Sequence, residues 1–299
     1  MKPKLIYIAG PTGVGKTALT LLLAKHYQTE IVSCDSRQFY KEMSIGTAVP
    51  TQAELAAIPH HFIQNKSIKE PVNVGAYEKA ALLTLEKLFQ KNKIVFLTGG
   101  SGLFAQALMK GLDIFPSIPD EIKAQMEVFH KTHGLKGLQE LLRDQDPNYY
   151  SKVDRQNPLR LIRALEVCFA SGSPYSSFLG KNENNRPFES QVIVLHQPRE
   201  TLYERINKRV DQMIDMGLEE EVKSLNQYRD LSSLRTVGYQ EWWEHFDGKY
   251  DRETAIEEIK KNTRRYAKRQ ITWFKRYGSD AFFPANTPLQ EFINEIEGD

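Results

Sequence analysis

Along the first half of the chain, short unbroken apolar runs alternate with longer stretches of helical period. Leu5-Ile6-Tyr7-Ile8-Ala9 is short enough for a buried strand, and Ala18–Lys25 after it reads as a helix. Glu30–Cys34, Ile94–Leu97 and Gln191–Leu195 repeat the strand signal. Between them, Thr51 can cap a short helix at Gln52–Ile58, and Asn73 caps one carrying Ala76, Ala80, Leu83 and Lys87. Ile94–Leu97 runs into Thr98-Gly99-Gly100-Ser101-Gly102 and a further helix through Leu108. Strands alternating with helices in this way predict an α/β fold, a doubly wound parallel sheet flanked by helices.

From Asp113 the pattern changes. Pro116 and Pro119 interrupt the chain, helical patterns follow at Asp120–Thr132, Leu135–Asp144 and Pro158–Ser171, and Lys181–Pro187 is a polar loop. Residues 113–189 are therefore expected to form a mainly helical insertion between two parts of one core domain, 1–112 and 190–299. Arg199–Leu225 reads as one helix or two closely joined, Arg235–Tyr239 as a compact turn, and Trp242-Trp243 as packing.

Composition adds little. At 40% hydrophobic, 26% charged and a net charge of +2, the chain matches an ordinary globular protein. No apolar run reaches the length of a membrane span and none reads as a leader, so a cytoplasmic location without membrane contact is expected. Cys34 and Cys168 are too few and too far apart for a metal framework or a disulfide scaffold.

The first strand–helix junction carries Gly10-Pro11-Thr12-Gly13-Val14-Gly15-Lys16-Thr17. Strand, then Gly-x-x-x-x-Gly-Lys-Thr, then helix is a phosphate-binding loop in its required context. Its backbone N–H groups and the helix N-terminus face an anion, Lys16 adds a full positive charge, and the Thr17 hydroxyl can ligate Mg²⁺. The usual tenant of such a loop is a nucleotide such as ATP. However, Ile94–Leu97 does not end in the acidic residue that helps hold Mg²⁺ in most NTPases of this type, which leans against simple ATP hydrolysis.

Asp35 follows the second strand, at the carboxyl end where open parallel sheets bind ligands. It faces the phosphate site if the two strands are close neighbours; otherwise it is a turn or capping residue. His60 and His61 are adjacent and point to opposite sides of an extended chain, so packing or hydrogen bonding suits them better than shared metal ligation. Arg205 and Arg209 lie four apart on one helical face, either a solvated basic face or a pair of which one or both reach a diphosphate.

The stretch from Lys260 to Gly278 holds eight basic residues and no acidic one. At helical spacing Lys261, Arg264, Arg265, Lys268, Arg269, Lys275 and Arg276 share a side, whereas Tyr266, Gln270, Trp273, Phe274 and Tyr277 share the other. A stripe of one sign in a nearly neutral protein suggests a polyanionic partner. Two function classes remain open at this point: a small-molecule or nucleotide kinase with a helical lid, and an enzyme acting on nucleic acid with a diphosphate-bearing donor.

Taken together, the P-loop, Asp35-Ser36-x-Gln38-x-Tyr40, Ile45-Gly46-Thr47-Ala48, Pro59-His60-His61 and Gly99-Gly100-Ser101-Gly102-Leu103 resemble the tRNA dimethylallyltransferase family. The likeness continues in Asp154-x-x-Asn157-x-x-Arg160-x-x-Arg163-Ala164-Leu165-Glu166-Val167, Arg235-x-Val237-Gly238-Tyr239 and Ala267-Lys268-Arg269-Gln270-x-Thr272-Trp273. Two positions depart from the family pattern: Ser101 stands where Thr is usual and keeps the hydroxyl, and Gln64 stands where Asp is usual.

The resemblance implies a P-loop NTPase-like core and transfer of a dimethylallyl group from dimethylallyl diphosphate to N6 of the adenosine 3′ of the anticodon. Asp35 is then the general base, and Lys16, Thr17 and the rest of Gly10–Thr17 meet the departing diphosphate, with Mg²⁺ on Thr17 and Arg209 as a further cation. The tRNA anticodon stem-loop would be held by Asp35, Ser36, Arg37, Gln38 and Ser101 near the reacting base. Lys123, Asn157, Arg160 and Arg163 of the insertion would grip it too, as would Arg235, Gly238, Tyr239, Arg265, Lys268 and Arg269. Nothing in the sequence demands a dimer, and a monomer is expected.

Overall fold

Strand β1 (Lys4–Ala9), buried after its first residue, lies inside a six-stranded parallel sheet of order β3-β2-β4-β1-β5-β6 in the computed structural model. Residues 2–181, 185–278 and 280–298 are described, with the side chain of Tyr277 excepted; positions 182–184 of the expected polar loop lie outside them. The elements in chain order are β1, α1 (Lys16–His26), β2 (Ile31–Ser33), α2 (Gln52–Ala57), β3 (His60–His61), α3 (Val74–Phe89), β4 (Ile94–Thr98) and α4 (Gly102–Lys110). Then come α5 (Asp120–Gln145), α6 (Pro147–Tyr150) and α7 (Pro158–Ser171). The last group is β5 (Glu189–His196), α8 (Arg199–Asp215), α9 (Leu218–Ser224), α10 (Gln240–Phe246), α11 (Arg252–Tyr277), β6 (Ala281–Pro284) and α12 (Leu289–Glu297).

The inner strands β1 and β4 are apolar on both faces because both faces are covered. Leu5, Tyr7 and Ala9 pack with Tyr77, Ala81 and Leu85 of α3 and Leu108 of α4. Ile6 and Ile8, one residue out of step, pack with Leu23 of α1, Ile206 of α8 and Phe292 of α12. Each such side chain taken fully out of water contributes about 1.5–3 kcal/mol. A third cluster, around Tyr239, Trp242, Val222 and Ile259, joins α8 to α11. It confirms packing as the role of the tryptophan pair.

The chain divides into two compact units, Met1–Lys110 with Arg186–Asp299 and Gly111–Asn185, close to the expected cuts at 112/113 and 189/190. The second unit has its own core of Met126, Leu138, Leu142, Leu161 and Leu165. Gly134, at φ 61 and ψ −163, breaks α5 into the two helical stretches anticipated from the pattern. The expected Arg199–Leu225 helix is likewise two, parted at Gly217. Strand β3, β6 and α12 were not anticipated: β3 has only two residues, and β6 alternates half-buried and exposed positions at a sheet edge.

Candidate active site

The P-loop joins β1 to α1. Gly15 is the N-cap of α1 in the left-handed region, at φ 111, and Val14 N–H closes back on the Pro11 carbonyl at 3.3 Å. A side chain at Gly10 would meet the Leu195 carbonyl at 2.7 Å, so only glycine allows the loop to leave the sheet this closely beside β5. The Lys16 ammonium donates to the carbonyls of Gly10 at 3.0 Å and Pro11 at 2.9 Å, folding over the loop it follows.

A cavity of about 610 Å³ opens on this loop. Gly13, Gly15, Lys16 and Thr17 form one wall, and Arg205, Lys208 and Arg209 of α8 form the opposite one. A second cavity, of about 390 Å³, contains Asp35, Ser36, Gly46 and Tyr266. Arg209 lines both cavities, and Thr12 carries the P-loop into the second. The pair Arg205 and Arg209 therefore faces the phosphate loop rather than solvent alone, and Lys208 and Gln212 continue the same i, i+3, i+4, i+7 stripe.

The cations crowd one another. Burial pulls the Lys16 ammonium down to about 8, Asp35 opposes that shift, and Arg209 adds to it. Burial also lowers the Arg209 pKa, with Asp35 opposing and Arg205 adding. A bound polyanion would relieve both groups, which is the electrostatic signature of a site built for one.

Asp35 reaches the site across an intervening strand. β4, not β1, is the neighbour of β2, so the condition of close strands is met only through the turn after β4. Gly99, at φ 146, makes that possible: a Cβ there would stand 2.6 Å from the Asp35 nitrogen. The Asp35 carboxylate accepts the Arg37 N–H at 3.1 Å. Ser101 Oγ accepts the Ser36 N–H at 3.0 Å and shares a hydrogen bond of 3.0 Å with Ser36 Oγ. Thus Asp35, Ser36 and Ser101 are brought together with the P-loop.

Other expected contacts move. Tyr239 is fully buried, and its hydroxyl donates to Glu221 at 2.7 Å; it belongs to the core and not to an RNA surface. Gly238 lines the Asp35 cavity while its N–H donates to the buried Glu241 at 2.8 Å. The Arg37 guanidinium is occupied by three carbonyls, those of Ser232, Ser233 and Arg235, and so pins the 232–235 turn instead of reaching out. The Gln38 amide donates to the carbonyls of Thr47 and Ala48, holding a loop where a base edge was expected. Asn157 caps α7 through the Arg160 N–H at 3.3 Å, which gives it a structural role.

Of the remaining candidates, Arg235 is exposed at the cavity. Lys123, Arg160 and Arg163 lie in the second unit, Lys123 paired with Asp120 at 2.7 Å and Arg163 over the Phe115 ring. The basic stripe on α11 is thinned from its N-terminal end. Lys260 pairs with Asp211 and Glu257, Lys261 with Glu258, and Arg264 donates to Asn207. Arg265, Lys268 and Arg269 are exposed, with Arg269 over the Tyr266 ring at the cavity.

Two residues of this region were given no role by the sequence. Gln270 is buried and bonds both the P-loop and the β4 turn. Its signals were a polar residue on the apolar side of α11 and a place in the Ala267–Trp273 block. Glu221 accepts the N–H groups of Ser44, Ile45 and Gly46 as well as the Tyr239 hydroxyl. No local pattern marks a contact between residues so far apart in sequence.

Comparison with known proteins places the chain in a family. Residues 38–277 match the family model described as IPP transferase, a match that begins beyond the P-loop and Asp35. A tRNA dimethylallyltransferase of Flavobacterium johnsoniae is 51% identical, with 98% of this chain and 96% of that protein covered. One from Christiangramia forsetii is 52% identical over 99% of this chain and 98% of its own length. Among solved structures, the tRNA isopentenylpyrophosphate transferase of Bacillus halodurans superposes with a TM-score of 0.74 at 35% identity, covering 99% of this chain and 96% of that one. A eukaryotic dimethylallyltransferase described as acting on tRNA gives 0.86 at 25% identity, covering 99% of this chain and 79% of that one. With the family model matching well over half the chain and relatives of about half identity spanning nearly all of it, the chain belongs to the IPP transferase family, whose P-loop NTPase-like fold it shares.

Proposed function

We propose that this chain transfers the dimethylallyl group of dimethylallyl diphosphate to N6 of the adenosine immediately 3′ of the anticodon in tRNA, releasing diphosphate. The observation that carries the reading is that the cationic P-loop cavity and the Asp35 cavity share Arg209, so a leaving-group cradle and a candidate base adjoin through one side chain. In the reaction the N6 lone pair forms a bond to the allylic carbon, the carbon–oxygen bond to diphosphate breaks, and the N6 proton passes to the Asp35 carboxylate. Lys16, Arg209 and the loop amides meet the charge that builds on the leaving oxygen. The target adenine leaves its stack to enter the Asp35 cavity, and the exposed Arg265, Lys268 and Arg269 hold the RNA backbone. Lys123, Arg160 and Arg163 of the second unit contribute backbone contacts to the anticodon stem-loop.

Magnesium fits the donor set. Among the described residues no three His, Cys, Asp or Glu side chains cluster to hold a metal ion. The exposed Thr17 hydroxyl in the P-loop cavity suits an ion bound mainly by diphosphate oxygens and water. Such an ion would add positive charge at the leaving group. Nothing in the relatives or the geometry favours the kinase alternative.

The test is incubation with labelled dimethylallyl diphosphate and unmodified tRNA, and separately with labelled ATP and small phosphate acceptors. Label on the tRNA adenosine is expected. Label passing from ATP to a small acceptor, with none reaching tRNA, would overturn the reading.

A further inference from the structure

Gln270 sits on α11 with its side chain buried, 5% exposed. Its two polar atoms serve two different loops. Oε1 accepts the Thr12 N–H at 2.8 Å, and Nε2 donates to the Gly100 carbonyl at 2.9 Å. Thr12 belongs to the P-loop, and Gly100 belongs to the turn that passes Asp35. A Cβ on Gly100 would collide with Gln270 Nε2 and stand 3.5 Å from an Asp35 carboxylate oxygen. One side-chain amide therefore spans the cradle of the leaving group and the loop of the base. It comes from the helix whose neighbouring residue, Arg269, lines the Asp35 cavity.

We propose that Gln270 is a positioning residue for the transfer, holding the P-loop and the Asp35 turn at one fixed separation; the inference rests on the transferase reading above. The amide is suited to this because it donates from one end and accepts at the other. Both partners are backbone atoms, so neither can adjust by choosing another rotamer. An alkyl transfer needs the nucleophile, carbon and leaving oxygen in line, and a shift of about 1 Å between the two loops lowers the rate by about a hundredfold. A carboxylate at this position still accepts the Thr12 N–H but opposes the Gly100 carbonyl with a second acceptor. A protonated carboxyl donates and restores both bonds. A thioether keeps the volume and makes neither bond.

The test compares the full-length wild type with Gln270→Glu and Gln270→Met. Single-turnover transfer at saturating tRNA and donor is measured from about pH 8 down to about pH 5.5, a span that covers a carboxyl whose pKa is raised by burial. At the upper end both variants are expected to lose about thirtyfold or more in rate, with tRNA affinity within about twofold of wild type. As pH falls, the ratio of Gln270→Glu to wild type is expected to recover several-fold, whereas that of Gln270→Met stays flat. A rate within about threefold of wild type in Gln270→Met, or a Gln270→Glu ratio that stays flat with pH, would overturn the proposal. Binding of inorganic diphosphate is measured in parallel. If the wild type itself moves no label to tRNA, the transferase reading has failed. In that event the diphosphate measurement decides for Gln270: weakening of about fivefold or more in Gln270→Met supports the role, and unchanged affinity removes it.

Discussion

Gly99 lies so near Asp35 that a methyl group on its Cα would stand 2.6 Å from the Asp35 backbone nitrogen. The contact exists because β4 runs between the strand that ends at the P-loop and the strand that ends at Asp35. A side chain at Gly99, the residue after β4, would push this turn and Asp35 apart. Gly99→Ala adds that methyl at φ 146, a conformation alanine adopts poorly. We expect a stability loss of about 1–3 kcal/mol and a fall in turnover beyond what the unfolded fraction explains. Urea denaturation and initial rates on the same preparation check this, and normal turnover in Gly99→Ala would mean that the turn does not set the place of Asp35.

Asp35→Asn keeps the shape of the side chain and its ability to accept the Arg37 N–H, but gives the N6 proton no carboxylate. Turnover is expected to fall by about 10²–10⁴-fold while tRNA affinity holds. Filter binding and single-turnover rates separate the two quantities, and a rate near wild type would remove Asp35 as the base.

Lys16 makes donor binding depend on pH. Burial lowers its pKa to about 8, so the free protein carries the neutral amine at higher pH. A bound diphosphate favours the ammonium, and binding above that value must take up a proton. The sign follows: donor affinity holds below about pH 8 and weakens above it, by up to about tenfold per pH unit until the pKa of the complex is reached. Isothermal titration in two buffers of different ionisation enthalpy reports the proton uptake directly. Uptake of none at pH 9 would contradict the shift.

Arg209 and the exposed end of the basic helix should separate in their effects. Arg209→Ala is expected to raise the KM for the donor by about tenfold or more, with the salt dependence of tRNA binding unchanged. Replacing Arg265 and Arg269 by Gln is expected to weaken tRNA binding and reduce its salt slope by about 1–2, leaving the donor KM alone. A donor effect from the helix pair, or a salt effect from Arg209, would redraw the boundary between the two sites.

Tyr239→Phe tests the place of a residue that looked like an RNA contact. Its hydroxyl holds Glu221, which also receives three backbone N–H groups of residues 44–46. Loss of the hydroxyl is expected to lower stability by about 1–2 kcal/mol with tRNA affinity unchanged. A change in affinity without a change in stability would return Tyr239 to the RNA interface.

Some parts of this protein are local, and those were open to reading from the chain. The helices with caps at Thr51 and Asn73 begin where those caps stand, and α5 is broken at Gly134, between the two stretches the pattern separates. β3 and β6 were not legible, because a two-residue strand and a half-exposed edge strand carry too few apolar positions to set a period. Arg37, Gln38 and Tyr239 stand in motif blocks, and their side chains bond partners within the chain: backbone carbonyls for the first two and Glu221 for the third. A polar side chain in a motif is equally suited to a backbone carbonyl and to a ligand, and the nearest partner takes it.

The order of residues alone determined the phosphate cradle, since Gly10–Thr17 needs only its own strand and helix, and it determined the family through blocks spread along the chain. Only the tertiary structure decided that Asp35 meets the cradle across β4, that Arg209 belongs to both cavities, and that Gln270 ties the two loops. Those relations rest on contacts such as Ser36 with Ser101 and Thr12 with Gln270, 65 and 258 positions apart, on a chain whose local geometry is the same whichever strand lies next to which. Strand order is set by how the helices cover both faces of the sheet, and that is a property of the packed core rather than of any segment within it.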